Sequence, residues 1–301
     1  MLAPPMTSRS HAASTPAPVL APTPAWWRRL TAPWRDLPDH LILGAMKAGT
    51  TQLDRWLSTN PGVQARIWKE SRVLTDSRPT ALRWRALYDL RARRRGQERR
   101  SGRPLRVGDA SPYDLFHPRA PRHAARLVPE ARFVVILRDP AHRAWSHHRH
   151  AVRHGFEWLD FDDAIAAEAG RLDGEEARLD RDPSAVSGPH QHWSYLARGR
   201  YVDQLERWFA CFPRERFLIR FTDDLRDRPR KLLADVERHL DLPPTPPPPA
   251  ADAVNVGDGV QPPPATVKAL HALFAESDAR LAELLGRELP WRTADTITDR
   301  C

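Results

Sequence analysis

Leu41-Ile42-Leu43-Gly44-Ala45-Met46-Lys47-Ala48-Gly49-Thr50-Thr51 carries a short apolar run into a small-residue turn with one lysine. Two threonines then open an amphipathic pattern that continues through Leu53, Trp56 and Leu57. Strand, tight turn and helix N-terminus in that order make a cradle for a phosphate. Glycines let backbone N–H groups approach the anion, the helix end adds partial positive charge, and the lysine adds a full one. Spacing separates the kinds of cradle. A nucleotide triphosphatase loop reads G-x-x-x-x-G-K-[ST], with lysine after the second glycine. Here Lys47 precedes Gly49, giving G-x-x-K-x-G-T-T. Lys47, Ala48, Gly49, Thr50 and Thr51 are therefore the candidate phosphate-binding residues.

A second segment stands apart from the first. Arg132-Phe133-Val134-Val135-Ile136-Leu137 is a continuous apolar run, as expected of a strand buried on both faces of a parallel sheet. It ends at Arg138-Asp139-Pro140, where Asp139 is placed to cap a helix and Pro140 to occupy its first position. That helix carries Ser146, eight residues after Arg138. A guanidinium fork and a hydroxyl a turn and a half further on suit a phosphate dianion. An ordinary buried strand followed by a basic helix is the plain alternative.

Apolar runs alternating with helical patterns predict an α/β fold with a parallel sheet of about five strands, at 41–44, 63–67, 105–108, 133–137 and 217–221. Helical faces follow around Leu205 and Trp208, from Leu225 to Leu240, and from Val267 to Leu285, the last closed by Gly286. The organisation expected is a disordered Ala/Pro-rich tail over 1–36, one domain over 37–292 and a short tail over 293–301. Residues 170–192 are acidic and poorly periodic and read as a surface insertion or mobile loop.

No apolar stretch has the length of a transmembrane helix, and none has the form of a signal peptide. Two cysteines, Cys211 and Cys301, fit a reducing cytoplasm better than a disulfide scaffold. A net charge of +9 favours anionic ligands. The arginines between 83 and 106 read either as a solvated helix or as a collar for an acidic ligand. No aromatic-interleaved or zinc-finger pattern points to nucleic acid. The histidines at 142, 147, 148, 150 and 154 lack a completing carboxylate or cysteine, so no metal is expected.

The two phosphate motifs together resemble the 5′-phosphosulfate loop and the 3′-phosphate element of sulfotransferases that use 3′-phosphoadenosine 5′-phosphosulfate (PAPS). Trp68-Lys69-Glu70 is similar to the lysine-glutamate pair of the carbohydrate and heparan type. Gly108-Asp109-Ala110-Ser111-Pro112-Tyr113 resembles the family's E-x-S-P-x-Y element, and Arg198-Gly199-Arg200-Tyr201 with Leu205 and Trp208 its G-x-Y…L…W helix. The resemblance runs over about 38–292. It implies a three-layer, P-loop-like sulfotransferase fold, PAPS as donor, and a carbohydrate, glycolipid or other small acceptor. It also implies Lys47 and Glu70 as catalytic residues, with Arg138 and Ser146 on the 3′-phosphate. Lys69, Arg72, Asp109 and Ser111 fall on the substrate side, and Asp109 is the rival base.

The chain departs from the heparan-type pattern at Ala110, where lysine is usual, and at Arg72, where histidine is usual. It also lacks a disulfide and a lysine-glycine-arginine run near 255–259. A nucleotide kinase and a non-catalytic polyanion-binding protein remain the alternatives.

Overall fold

A computed structural model describes residues 15–64, 68–246 and 259–292. Among the described residues four parallel strands form the sheet: β1 (His40–Gly44), β2 (Gly108–Ala110), β3 (Arg132–Leu137) and β4 (Phe217–Phe221), in the order β2-β1-β3-β4. Leu41 pairs with Asp109 on one side and Phe133 on the other, while Val134 pairs with Leu218. β3 is central, and its residues 133–137 are fully buried, which is why that stretch is unbroken Phe, Val, Ile and Leu.

The helices are, in chain order, α1 (Trp26–Leu30), α2 (Thr50–Thr59), α3 (Ala81–Arg85), α4 (Arg91–Ser101), α5 (Ala120–Leu127), α6 (Pro140–Arg153) and α7 (Phe161–Leu172). They continue with α8 (Glu175–Arg181), α9 (Gly188–His192), α10 (Tyr201–Phe209), α11 (Thr222–Asp227), α12 (Pro229–His239) and α13 (Pro264–Leu285). α2 buries Leu53, Trp56 and Leu57 against the sheet core. α13 packs on α6 and α10, and Leu270 and Phe274 join Ala141, Ala144 and Tyr195 in a second apolar cluster.

Several expectations change. The strand expected at 63–67 is reduced to a parallel bridge between Val63 and Arg106, and 65–67 lie outside the described residues. The strand expected at 105–108 pairs with β1 only from Gly108 onward. The Asp39 carboxylate takes the Val107 N–H (3.1 Å), and Arg106 bonds instead to Gly62 and Gln64. The apolar pattern from Leu225 to Leu240 divides into α11 and α12, with Pro229 starting the second.

Residues 170–192 are not a loop but belong largely to α7, α8 and α9. Asp160 and Ser187 cap α7 and α9, and the buried Arg119 guanidinium holds the Asp182 and Ala185 carbonyls at 2.6 and 2.8 Å. Nor are residues 15–36 detached from the domain. Arg28 donates to the carbonyls of Ala86 (2.7 Å) and Tyr88 (2.5 Å), and Arg35 donates to Tyr88 as well (2.7 Å). α4 has no buried residue, and Arg91, Arg93 and Arg94 pair with Asp36 and Asp89. That agrees with the solvated reading of the arginine-rich stretch.

Candidate active site

The turn between β1 and α2 has alternating handedness. Lys47 (φ 69°) and Gly49 (φ 90°) are left-handed, a geometry that turns successive N–H groups inward as an anion nest. Gly49 is required twice over, by its φ and because a Cβ there would lie 2.5 Å from Leu225 Cδ1. Ala48 donates its N–H to the Ala45 carbonyl (3.2 Å). The donors open to a ligand are then those at the start of α2, with Thr50 buried and Thr51 half-buried.

The second motif meets the first directly. Arg138 Nη1 donates to the Lys47 carbonyl (3.0 Å), across 91 positions of sequence. Asp139 caps α6 through the Ala141 N–H (2.8 Å), with Pro140 at the first helical position. His142 and His271 donate to the Asp139 carboxylate at 2.6 and 3.1 Å and hold its pKa far below the ordinary value, against the opposing effect of burial. Ser146 is half-buried on α6, roughly 9 Å along the helix from Pro140 at 1.5 Å per residue.

Cations dominate the electrostatics here. Burial pushes the Lys47 ammonium below its usual pKa, and the nearby cations Arg153 and Arg138 push it further. Burial lowers Arg138 also. A cluster of cations that disfavour one another's charge is stabilised when an anion arrives.

The third group follows the Val63 bridge. Lys69 Nζ donates to Thr51 Oγ1 (2.5 Å), tying the lysine-glutamate pair to the start of α2. Arg72 Nη2 donates to Glu70 Oε2 (2.6 Å). Glu70 (φ 61°) and Arg72 (φ 51°) are both left-handed. Of the four described non-glycine residues with positive φ, Lys47, Glu70 and Arg72 are three, and Asp241 is the fourth. Such backbone persists only where its surroundings over-determine it.

Here the surroundings are Asp109 and Ser111. Asp109 Oδ1 accepts from the N–H groups of Ala110 (2.8 Å) and Ser71 (3.3 Å), and Oδ2 accepts from Ser71 Oγ and from Ser111 Oγ (3.3 Å). The Arg72 N–H donates to Ser111 Oγ (3.2 Å). Asp109 is 1% exposed, which suits a pin for the Glu70 loop better than a base open to an acceptor.

Some contributors were not assigned to the site from the sequence: Thr222 and Arg153 were not singled out, while Arg198, Tyr201 and His150 were named without a role in it. Thr222 Oγ1 donates to the carbonyls of Ala48 (2.9 Å) and Leu137 (3.2 Å), locking the loops after β1 and β3 together. Tyr201 Oη donates to the Arg138 carbonyl (2.8 Å), and Arg198 Nη1 contacts Met46 Sδ (2.8 Å). Arg153 and His150 lie on α6 at i+7 and i+4 from Ser146, a helical spacing that the sequence does display. Burial and then Lys47 push the His150 imidazole down to about 4, so it is neutral at pH 7. Among the described residues no group of three or more His, Cys, Asp or Glu side chains could hold a metal ion. No helix among them is long and apolar enough to cross a membrane. The loop expected on the 3′-side at 255–258 and the tail at 293–301 lie outside the described residues.

Residues 37–254 match the family described as the sulfotransferase domain. The chain is 28% identical over 209 residues to a bifunctional heparan sulfate N-deacetylase/N-sulfotransferase 1 of Caenorhabditis elegans, covering 69% of this chain but only 22% of that protein. It is 21% identical over 272 residues to a membrane-associated sulfotransferase of Dictyostelium discoideum, covering 68% of this chain and 56% of that one. A crystal structure of a sulfotransferase from Alicyclobacillus acidocaldarius superposes with a TM-score of 0.64 at 27% identity, over 85% of this chain and 99% of that one.

Proposed function

The chain belongs to the sulfotransferase family, and on that premise we propose that it moves a sulfuryl group from PAPS to a hydroxyl or amine of a glycan, glycolipid or small-molecule acceptor. The observation that carries this reading is the Arg138–Lys47 contact. It brings the two candidate anion-binding elements side by side, as a nucleotide carrying two separate phosphate groups would need.

The cradle fits such a ligand. Gly49 gives its turn the left-handed backbone of an anion nest, its charge is positive, and Lys69 brings the lysine-glutamate pair to its edge. When bound, PAPS supplies a sulfuryl group on a phosphosulfate linkage, and transfer breaks that S–O bond. The first N–H groups of α2 and the Thr50 and Thr51 hydroxyls hold the 5′-phosphate. Lys47 neutralises the charge that grows on the bridging oxygen, and Arg138 and Ser146 hold the 3′-phosphate. Glu70, with one oxygen on Arg72, takes the acceptor proton through the other. Asp109 and Ser111 position that glutamate. Lys69 orients the loop from Thr51, and no step calls for a metal. With two cysteines in the chain, we place the reaction in a reducing, cytoplasmic setting.

Transfer of labelled sulfate from PAPS to a panel of glycosides, amines and phenols tests the reading. Glu70→Gln is expected to cut turnover at least about a hundredfold while nucleotide affinity holds within about threefold. Unchanged turnover would remove Glu70 from the mechanism.

A further inference from the structure

The segment before α1 runs across the acceptor side of the site. The Val19 N–H donates to Gln191 Oε1 (2.6 Å), and the Val19 carbonyl accepts from Gln191 Nε2 (3.3 Å) and from Arg72 Nη1 (3.4 Å). His192 Nε2 lies 3.2 Å from the Ala17 carbonyl. The seat is built for it, since a Cβ on Gly188 would lie 1.7 Å from the Pro16 carbonyl oxygen. A proline-rich strap with few backbone N–H donors is thus held by its carbonyls and by one glutamine that both accepts and donates. Ala21, at 8% exposed, anchors its far end.

Val19, Leu20 and Pro22 of this strap form one wall of an open recess of ≈ 350 Å³. The opposite wall is Trp68, Lys69, Glu70 and Arg72. Leu20 is 61% exposed, Val19 44% and Trp68 42%, so three large apolar groups stand in water around the residues that handle the acceptor. Arg72 belongs to both walls, with one nitrogen on Glu70 and the other on the strap.

We propose that residues 16–22 complete the acceptor site, and that the acceptor is an amphiphile: a hydroxyl or amine beside an apolar group that covers Leu20, Val19 and Trp68. The inference rests on the sulfotransferase reading, because it takes Glu70 as the point at which the nucleophile sits. A wholly polar acceptor leaves these side chains wet, whereas an alkyl or aryl substituent removes them from water at a gain of about tenfold in affinity or more.

The test is calorimetric titration of the full chain, loaded with 3′-phosphoadenosine 5′-phosphate, with hexyl β-D-glucoside and with methyl β-D-glucoside. The hexyl compound is expected to bind at least about tenfold more tightly. That ratio falls towards one in Leu20→Asp, which spoils the wall, and in Gln191→Ala, which unseats the strap, and both variants keep their affinity for the bisphosphate. Equal affinities, no binding of either glucoside by the unaltered chain, or a ratio preserved in Leu20→Asp would overturn the proposal. Failure of the bisphosphate itself to bind would instead sink the nucleotide site, and this inference with it.

Discussion

Replacing Asp109 with asparagine separates a positioning role from a chemical one. Asparagine keeps an oxygen for the Ala110 and Ser71 N–H groups, but it puts an NH2 where Ser71 Oγ and Ser111 Oγ now donate. Hydrogen bonds to a charged acceptor are worth about 1.5–3 kcal/mol each. Losing that assistance at two buried hydroxyls, with one donor left facing another, costs about 2–4 kcal/mol. For a domain of this size that is a fall in Tm of roughly 5–15 °C.

The same pin holds Glu70 and Arg72 in left-handed backbone, so its loss lets the glutamate drift. Turnover should then fall about 10–100-fold, because misplacement of a reacting group by an ångström costs on that order. The fall should be similar at every pH, since Glu70 remains as the base. Thermal unfolding and a pH–rate profile on Asp109→Asn read both quantities. A variant with unchanged Tm, turnover reduced beyond about a thousandfold and one limb of its pH profile abolished would refute the reasoning and make Asp109 the base.

Lys47 predicts a pH dependence of binding. Its folded pKa lies below the usual 10.5, so the free protein gains stability from it above 10.5 and loses that contribution as pH falls through the lowered value. A bound bisphosphate reverses the preference. Affinity for 3′-phosphoadenosine 5′-phosphate should therefore decline as pH rises while still below 10.5, and Lys47→Arg should flatten the decline in a titration series from pH 7 to 10. Gly49→Ala places a Cβ against Leu225 and a side chain at φ 90°, so we expect a cost of about 1–2 kcal/mol and nucleotide affinity about tenfold weaker. Adding Leu225→Ala relieves the contact but not the φ, and should restore only part of the loss by equilibrium unfolding.

Much of the backbone around this candidate site was legible because its signals are local. Lys47 before Gly49, and Asp139-Pro140 after an unbroken apolar run, each specify a turn and a helix start within a few residues. The parallel sheet followed from β3, whose five buried residues admit no polar alternation. What stayed hidden depends on partners far along the chain. The strap has no hydrophobic period, and its order comes from Gln191 and Arg72, more than 50 positions away. Residues 170–192 lack an apolar stripe because caps, Arg119 and the Glu175–Arg178 pair (2.8 Å) hold much of that segment. β2 starts three residues late because an aspartate outside the strand takes the Val107 N–H. Asp109 reads as a second base from its place after an expected strand, and the donors gathered on its buried carboxylate, Ser71 among them, favour a pin instead.

The central claim is a single nucleotide site made by Lys47 and Arg138 together. Calorimetric titration with 3′-phosphoadenosine 5′-phosphate, run beside ATP with magnesium, tests it most directly. We predict micromolar binding of the bisphosphate, weakened about 10–100-fold in Arg138→Ala and in Lys47→Ala, with weak binding of ATP. Clear binding of magnesium-ATP with none of the bisphosphate would contradict the account and favour a kinase.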